Sequence, residues 1–291
     1  GANIGLVSHL ANFARLNKYG FLETPYAVVK NGKITKEIVW LNALDEEKYK
    51  IAHGGVAYEG DMIRDEIVEA RIHGEPGTCL RNEIDLIDVA PNQFISVATS
   101  LIPFLNHDDA NRALMGSNMQ RQAVVPVRPD APYVRTGVEE KAAADSGHVV
   151  RAAEGGEVTD VDARHIVIKE KEKKREYPLA AFKRSNQFSS ISHRPLVKRG
   201  QKVKKGDLIA DGPAIDNGVL ALGQNLFVAF VSWEGANYED AIILSERVVE
   251  NDYFSSLHIE DFVCDVRDTK LGPEVTTPDI PNVSEDKLKN L

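Results

Sequence analysis

The chain has 291 residues, of which 43% are hydrophobic and 27% are charged, and its formal net charge is −9. This composition excludes a disordered tail, since there are enough apolar residues to bury a core, and the length allows one large domain or two to three small ones. No apolar stretch reaches membrane-spanning length and the N-terminus lacks a signal-peptide pattern, so we expect a soluble protein inside the cell.

The charge is distributed unevenly along the chain. Residues 164–205 contain fourteen Lys and Arg against three Asp and Glu, a net charge of +11, so the other residues together carry −20. Local charge decides nucleic-acid binding more than the total does. The acidic total therefore does not exclude a nucleic-acid partner.

Cys79 and Cys264 lie far apart with no patterned histidines beside them. This spacing argues against a zinc knuckle or a disulfide framework and predicts two buried thiols.

The first quarter of the chain is predicted to combine a β-hairpin with short helices. Residues 27–40 flank the pair Asn31-Gly32, which supplies the positive φ angles of a two-residue turn and so predicts a hairpin. Residues 44–52 and 60–72 are rich in charged side chains and predict two short helices, and the alternation of polar and apolar residues over 74–88 indicates a strand.

Residues 106–123 are predicted to form a helix with Asn106 as its N-cap and Asp108 and Asp109 in the first turn. At 3.6 residues per turn, one arc of this helix collects amides and an arginine, and no clean apolar stripe is left. Such a helix is expected among partners, where amides and guanidinium groups suit phosphate oxygens; the plainer alternative is a solvated polar face. The residues on the arc are Asn111, Asn118, Arg121 and Gln122.

Three prolines in residues 126–132 predict a linker, after which short alternating strands follow. Residues 202–212, KVKKGDLIADG, resemble the returning hairpin of barrel-sandwich hybrid modules. The modified lysine of cofactor-carrying modules lies in a hairpin flanked by Met or Ala, and no such hairpin is present. We therefore predict a structural module without a bound cofactor.

Residues 222–244, LGQNLFVAFVSWEGANYEDAIIL, place two adjacent carboxylates next to a long apolar run. The run, residues 226–233, predicts a strand buried on both faces. Glu239 and Asp240 follow it, and burying such a pair needs a cation or a donor. One interpretation makes Asn237 a helix cap with Asp240 completing a capping box. The other makes the pair face a divalent cation, a triphosphate or a basic partner.

Several long strings in this sequence resemble the β subunit of bacterial RNA polymerase. These strings are LALGQNLFVAFVSWEGANYEDAIILSERVV, HDDANRALMG, NMQRQAV and RDTKLGPE, and the resemblance extends over essentially the whole chain. Gly1 begins what resembles the family's GPNIGL motif, with Ala2 where the family has Pro. On this basis we expect a fragment of a longer subunit.

The resemblance implies roles for individual residues in nucleotidyl transfer to an RNA 3′ end. It implies that Arg112 approaches the phosphates of the incoming nucleotide, and that Glu239 and Asp240 support catalysis near the second Mg²⁺. Arg121, Gln122 and Asn186, the last in an RSNQ string, are implied to lie along the product RNA and the hybrid. Asn3 and Val7 are implied to flank the rifamycin pocket, with simple loop capping as the alternative for Asn3.

The resemblance also implies the partners of the chain. They are the β′ and α subunits, the remaining parts of β, sigma factor, template DNA, product RNA and NTPs, in the cytoplasm at the bacterial nucleoid. The catalytic Mg²⁺ is implied to be held mainly by β′, since no DFDGD-like string occurs here and no metal site belongs to this chain alone. The isolated chain is therefore expected to be inactive. The competing hypothesis is a non-catalytic scaffold that assembles with β′ and α.

The expected fold is mixed α+β, multi-domain and β-rich, with a barrel-sandwich-hybrid-like module and part of a double-psi β-barrel. The expected domains are 1–125, which carries the DDANRALMG helix, 126–215, the hybrid-like module, and 216–291, part of the barrel. Because the partner strands of residues 226–233 are expected beyond residue 291, the chain is expected to leave that barrel unfinished. We further expect the acid pair and the arginine–amide helix to converge on one cleft that a neighbouring subunit completes.

Overall fold

The structure, a computed structural model, describes residues 5–170 and 173–289. It is rich in β-strand with short helices between the strands, as the predicted mixed α+β class requires, and within the described residues no sheet closes into a barrel. None of the helices in this part of the chain is long and apolar enough to cross a membrane. The helices are α1 (Ala43–Glu46), α2 (Val97–Ser100), α3 (Ala110–Gln120), α4 (Glu139–Asp145), α5 (Arg247–Glu250) and α6 (Glu285–Leu288), with 3-10 turns at Arg81–Glu83 and Leu105–His107.

The N-terminal part folds into a nine-stranded sheet. Its order is β5-β6-β3-β2-β9-β4-β7-β8, with β1 added beside β2. All pairs are antiparallel except β4 with β9, which is parallel. The strands are β1 (Arg15–Leu16), β2 (Leu22–Lys30), β3 (Lys33–Leu41), β4 (Lys50–Ala52), β5 (Tyr58–Glu59), β6 (Met62–Ile63), β7 (Ile67–Ile72), β8 (Glu75–Leu80) and β9 (Leu86–Asp88).

The predicted hairpin is confirmed by β2 and β3. Its turn residues Asn31 and Gly32 have φ of 52° and 75°, the left-handed angles of a two-residue turn that matches the twist of the flanking strands. Lys30 pairs with Lys33 directly across the turn, so the Asn-Gly pair fixes the register.

Successive residues of the central strands bury opposite faces of the sheet. Tyr26, Ile51 and Leu86 pack on one face, whereas the following residues Ala27, Ala52 and Ile87 join a larger cluster on the other. This two-residue period is the geometry of a strand. Covering both faces explains why consecutive residues of β2, β4 and β9 are apolar, as in Tyr26-Ala27, Ile51-Ala52 and Leu86-Ile87.

The two helices predicted for residues 44–52 and 60–72 are wrong for most of their length. Only Ala43–Glu46 is helical, and it is capped by Asn42, whose Oδ1 accepts from the Asp45 N–H at 3.0 Å. Residues 62–63 and 67–72 are strands. Charged residues there alternate with buried Val68 and Ala70, so the period was two and the charges mark the exposed face.

A buried ion pair joins β7 to the end of β9. The Asp88 carboxylate is fully buried and accepts from Arg71 Nη2 at 2.8 Å and Nη1 at 3.3 Å. Arg71 also contacts Glu46 at 3.2 Å and lies over the ring of Phe94, 4.8 Å from its centroid. Burial is the largest single influence on the pKa of Arg71 and lowers it, but the hydrogen bond and charge of Asp88, together with the nearby Tyr26 and Glu46, outweigh burial and raise that pKa. The pair therefore locks two strands that are not neighbours in the sheet.

The second part of the chain builds smaller sheets around its own core. A four-stranded sheet has the order β13-β12-β11-β17, and a three-stranded sheet has the order β10-β18-β16. Both contribute to one apolar cluster that includes Val158, Ile166, Ile168 and Ile209. The strands are β10 (Val150–Arg151), β11 (Gly156–Val161), β12 (His165–Glu170), β13 (Lys173–Pro178), β14 (Lys183–Arg184), β15 (Ser190–Ile191), β16 (Arg194–Pro195), β17 (Lys202–Val203), β18 (Leu208–Asp211), β19 (Ile215–Asp216) and β20 (Val219–Leu220).

The end of the KVKKGDLIADG segment is fixed by its aspartate and its last glycine. The buried Asp211 carboxylate accepts from the N–H groups of Asn217 and Gly218 at 2.7 and 2.9 Å and from Arg194 at 3.3 Å. Gly212 lies so close to the carbonyl of His148 that a Cβ would overlap that oxygen. Asp211 therefore holds the β19–β20 turn against β18.

Half-buried His193 is expected to make stability depend on pH. Its Nδ1 accepts from the Ala180 N–H at 2.8 Å, and burial lowers its pKa below the ordinary 6.5. The unfolded chain therefore binds a proton that the folded chain resists, so stability should fall as the pH drops below 6.5. Urea unfolding at several pH values should show this loss in the wild type and a smaller loss in His193→Gln. Equal pH slopes in both proteins would contradict the assignment.

The buried strand predicted in the segment 222–244 is also wrong. Residues 226–233 form no regular strand and are exposed; Phe227 and Phe230 are 105% and 99% exposed. Residues 257–266, where the alternation of apolar residues also predicts a strand, form only a single bridge between Ser189 and His258. No other strand of the described chain lies beside the apolar run, so its backbone has no ladder to join. Two short strands follow it, β21 (Asp268–Thr269) and β22 (Gly272–Pro273).

The prediction of two buried thiols is half correct. Cys79 is buried, whereas Cys264 is exposed.

Candidate nucleic-acid interface

Helix α3 carries the first group of candidate residues and is shorter than predicted. Asp109, not Asn106, is the N-cap, because its Oδ2 accepts from the Asn111 N–H at 3.1 Å. The helix ends at Gln120, so Arg121 is the C-cap and Gln122 follows, with its N–H still donating to Met119 O at 3.0 Å. Arg121 keeps helical backbone angles and contacts the same histidine, His9, that Asn118 contacts.

Asn118 ties α3 to the N-terminal loop. Its Nδ2 donates to the carbonyls of Gly5 and Val7 at 3.2 and 3.1 Å, and its Oδ1 lies 2.9 Å from His9 Nε2. A few residues on, the Asn12 side chain donates to Ser100 Oγ at 2.8 Å. The loop is thus fixed against both α2 and α3, which brings Val7 next to the end of α3.

Arg121 lies against the imidazole of His9. Because both N–H groups of the Asn118 amide are used by carbonyls, its oxygen faces His9 and requires that His9 Nε2 carry a proton. The other ring nitrogen, Nδ1, is then an acceptor, and Arg121 Nη1 lies 3.4 Å from it. His9 therefore links Asn118 to Arg121, and the remaining N–H groups of the guanidinium make no hydrogen bond within the described residues.

Arg112 projects from the first half of α3 into solvent. Its one side-chain hydrogen bond is a weak contact of Nη1 with Met115 Sδ at 3.7 Å, along the same helix. Within the described residues it has no carboxylate partner. The guanidinium therefore keeps its full charge and five donors for a group outside the chain.

Asn186 lies in the tight connection between β14 and β15. The hydroxyl of Ser185 closes this connection by accepting from the N–H groups of Gln187 and Ser189 at 3.3 and 3.0 Å. Arg184 lies over the ring of Phe188 and pairs with Asp261 at 3.3 Å. These contacts hold the backbone on either side and leave the Asn186 side chain exposed.

Glu239 and Asp240 lie in an exposed loop, and the capping interpretation is wrong for this loop. Asn237 caps no helix; its Oδ1 accepts from the Trp233 N–H at 2.9 Å and its Nδ2 donates to Val231 O at 2.7 Å, closing a turn. Glu239 has φ of 57°, an uncommon angle for a residue with a side chain. In the described chain neither carboxylate accepts a hydrogen bond or forms an ion pair, so both are available to an external cation.

The seven candidate residues that the structure describes are all exposed. They are Val7, Arg112, Arg121, Gln122, Asn186, Glu239 and Asp240. The structure brings Val7 together with Arg121 through Asn118. No hydrogen bond or ion pair in the described part of the chain joins Arg112 to the acid pair, and their convergence stays a prediction. Asn3 lies outside the described residues.

Sequence reasoning missed His9. No spacing marks it, because its place beside Arg121 depends on how the N-terminal loop packs against a helix more than a hundred residues later. Among the described residues there is also no group of three or more His, Cys, Asp or Glu that could hold a metal ion. The acid pair could therefore serve as part of a site only if another chain supplied further ligands.

Comparisons with known proteins agree with the resemblance of the sequence strings. Residues 151–291 match the family model described as RNA polymerase Rpb2, domain 6, and residues 26–90 match the RNA polymerase beta subunit external 1 domain. The chain is 54% identical to the DNA-directed RNA polymerase subunit beta of Brucella canis over 300 residues, and 53% identical to those of Brucella suis and Brucella abortus. These alignments cover 100% of this chain and 22% of each relative. The chain therefore belongs to the family of RNA polymerase β subunits and spans about a fifth of the length of these relatives.

Proposed function

We propose that this chain is part of the β subunit of a multisubunit DNA-dependent RNA polymerase and positions nucleotide, RNA and hybrid during nucleotidyl transfer. The observation that carries the proposal is the 54% identity over the whole chain, which includes the segments that hold Arg112, Arg121 and Glu239. Its partners are then the β′ and α subunits, the rest of β, sigma factor, DNA, RNA and NTPs, in the cytoplasm at the nucleoid. The isolated chain is inactive in this proposal.

Each candidate residue has a role that its setting supports. Arg112, exposed and without an acid partner, neutralises the triphosphate of the incoming nucleotide and the charge that develops on it. Arg121, Gln122 and Asn186 contact the RNA and the hybrid through phosphate and sugar, which positions the strand without reading its sequence. Val7, fixed to Asn118, flanks the inhibitor pocket together with Asn3.

Glu239 and Asp240 are assigned to the second Mg²⁺ or to the groups that deliver it. Two adjacent carboxylates without internal partners fit a hard divalent cation, which takes oxygen ligands, but they cannot complete its coordination alone. The larger share of the ligands falls to β′. When bound, the ions activate the attacking oxygen and stabilise the leaving pyrophosphate. This chain contributes ligands or outer contacts and holds the nucleotide in place.

The architecture we propose follows the same assignment. Residues 126–215 form the barrel-sandwich-hybrid-like module, built on the shared core of β11, β12 and β18, after the segment 1–125. Residues 216–291 form part of a double-psi β-barrel. The exposed run 226–233 supports this, since its apolar side chains have no cover within the described chain. The same exposed run also favours the second candidate function, a scaffold surface for assembly with β′ and α.

The acid pair can be tested in the assembled enzyme. In Glu239→Gln/Asp240→Asn, the Mg²⁺ concentration for half-maximal elongation is expected to rise about tenfold, because two anionic ligands become neutral. Assembly should be normal, since neither side chain makes a contact within the described chain. The matched control is Glu234→Gln, an exposed glutamate in the same loop that also has a positive φ. If the variant kept its Mg²⁺ dependence but lost stability, Glu239 and Asp240 would have a structural role and not a role in metal binding.

A further inference from the structure

A cleft of about 260 Å³ lies between the end of α3, the loop before α4 and the segment after β20. Its walls are mainly apolar, with Val134 and Leu222 among them. Its polar lining consists of acceptor-bearing side chains, and it contains no Lys, Arg or His. The polar residues are Gln120, Asp130, Glu139, Gln224 and Asn225.

Two amide oxygens on this lining have no hydrogen-bond partner. The Oε1 atoms of Gln120 and Gln224 are both buried and both unpaired. The orientation of Gln224 is fixed, because its Nε2 donates to Arg128 O at 2.6 Å. Exchanging the oxygen and nitrogen of the Gln120 amide would leave a buried Nε2 donor without a partner in place of the oxygen. Buried polar atoms are paired in the great majority of cases, so two unpaired acceptors in one cleft indicate a missing donor.

Glu139 adds a buried negative charge to the same wall. Its carboxylate is 4% exposed and accepts from the N–H groups of Thr136 and Gly137, both at 2.8 Å. Burial is the largest single influence on the pKa of Glu139 and raises it, but these hydrogen bonds, together with those from the Thr136 hydroxyl and the N–H of Glu139 itself, outweigh burial and lower that pKa, so the group is ionised. It has no cationic partner in the described chain, and neither has Asp130 at the exposed rim.

We propose that this cleft binds a guanidinium group on an apolar stem, the arginine side chain of a neighbouring polypeptide in the assembled enzyme. A guanidinium offers five N–H donors in a plane, which can pair with the two free amide oxygens. Its delocalised, weakly hydrated positive charge suits the neighbouring carboxylates. Its methylene stem suits the apolar walls. The occupant is a protein because the cleft is continuous with the exposed apolar run that begins directly after Asn225 and needs a protein cover. This proposal does not depend on the roles assigned to Arg112 or the acid pair.

Photo-cross-linking in the assembled polymerase tests the proposal. With p-benzoylphenylalanine in place of Val134, mass spectrometry should find a cross-link to one arginine-containing segment of another polypeptide. The control position is Tyr133, the neighbouring residue, which is 88% exposed and outside the cleft wall. Cross-links confined to this chain would show that the cleft holds only water, of which about eight molecules would fit. Cross-links to a partner segment without arginine would equally overturn the proposal.

A second measurement avoids the bulky cross-linker. Phenylglyoxal modifies accessible arginines, and one partner arginine should react about tenfold more slowly when its guanidinium is held by these acceptors. The protection should disappear in Gln120→Met/Gln224→Met, which removes both acceptors at similar side-chain length, and persist in the exposed control Gln201→Met. If no partner arginine changes its reactivity between wild type and the double variant, the proposal is wrong.

Discussion

Replacing Arg71 by alanine is expected to destabilise the chain by about 3 kcal/mol, because it leaves the fully buried Asp88 carboxylate without its cation. The remaining donor to Asp88 is the Gly54 N–H at 3.3 Å, which cannot compensate a buried charge. Contact of the guanidinium with the Phe94 ring would be lost as well. Equilibrium urea unfolding, followed by circular dichroism, measures the change.

Two further variants show whether the ion pair causes this loss. The control is Arg64→Ala. Arg64 is an exposed arginine in the connection between β6 and β7, without a side-chain hydrogen bond in the described chain, and its loss should change stability by less than about 0.5 kcal/mol. Arg71→Met/Asp88→Leu should recover part of the loss, because the uncompensated charge is removed with its partner. If the double variant were less stable than Arg71→Ala, the Asp88 carboxylate would act mainly by accepting from the backbone N–H of Gly54 and not through its ion pair.

Arg112→Ala in the assembled polymerase is expected to lower kcat/KM for NTP about a hundredfold, mainly through a raised KM, with normal assembly. A guanidinium that meets a triphosphate supplies charge-assisted hydrogen bonds, and removing one such donor from a site costs about this much. Among the described residues the exposed side chain makes one hydrogen bond, to Met115, so folding should be little affected. Single-nucleotide addition at varied NTP concentration gives KM and kcat separately.

The conservative variant separates the nucleotide role from the scaffold role. Arg112→Lys should keep part of the affinity, since it retains the charge and loses the planar fork. Arg64→Ala again serves as the control. If Arg112→Ala failed to assemble with β′ and α while enzyme that did assemble kept its KM, the side chain would belong to an interface and the scaffold function would be favoured.

Local chemistry explains which parts of the fold the sequence could predict. The Asn31-Gly32 turn needs only its own two residues, so the hairpin was predicted correctly. Residues 60–72 were mistaken for a helix because their charges were taken as a solvated helix face, whereas buried Val68 and Ala70 have the period of a strand. A short segment with both charged and apolar residues fits the period of a helix as well as that of a strand. Whether a neighbouring strand is available for pairing then decides which of the two forms.

The C-terminal part shows the opposite limit. An apolar run such as 226–233 predicts burial, but burial needs a surface to pack against, and the described chain provides none. The positions of the candidate residues were likewise only partly predictable. The sequence strings identified Arg121, but its neighbour His9 is brought there by Asn118, a contact between residues 109 positions apart in sequence.

The place of β9 in the large sheet has a consequence for how that sheet forms. The strand pairs with β2 on one side and with β4 on the other, so it joins β5-β6-β3-β2 to β4-β7-β8. These two sets of strands interleave along the chain, because β3 pairs with β6 across β4 and β5, and β4 pairs with β7 across β5 and β6. Each such pairing closes a loop before its contacts form, and β9 must close one with each of its two partners. We therefore expect this sheet to fold more slowly than a sheet of the same size built from consecutive hairpins.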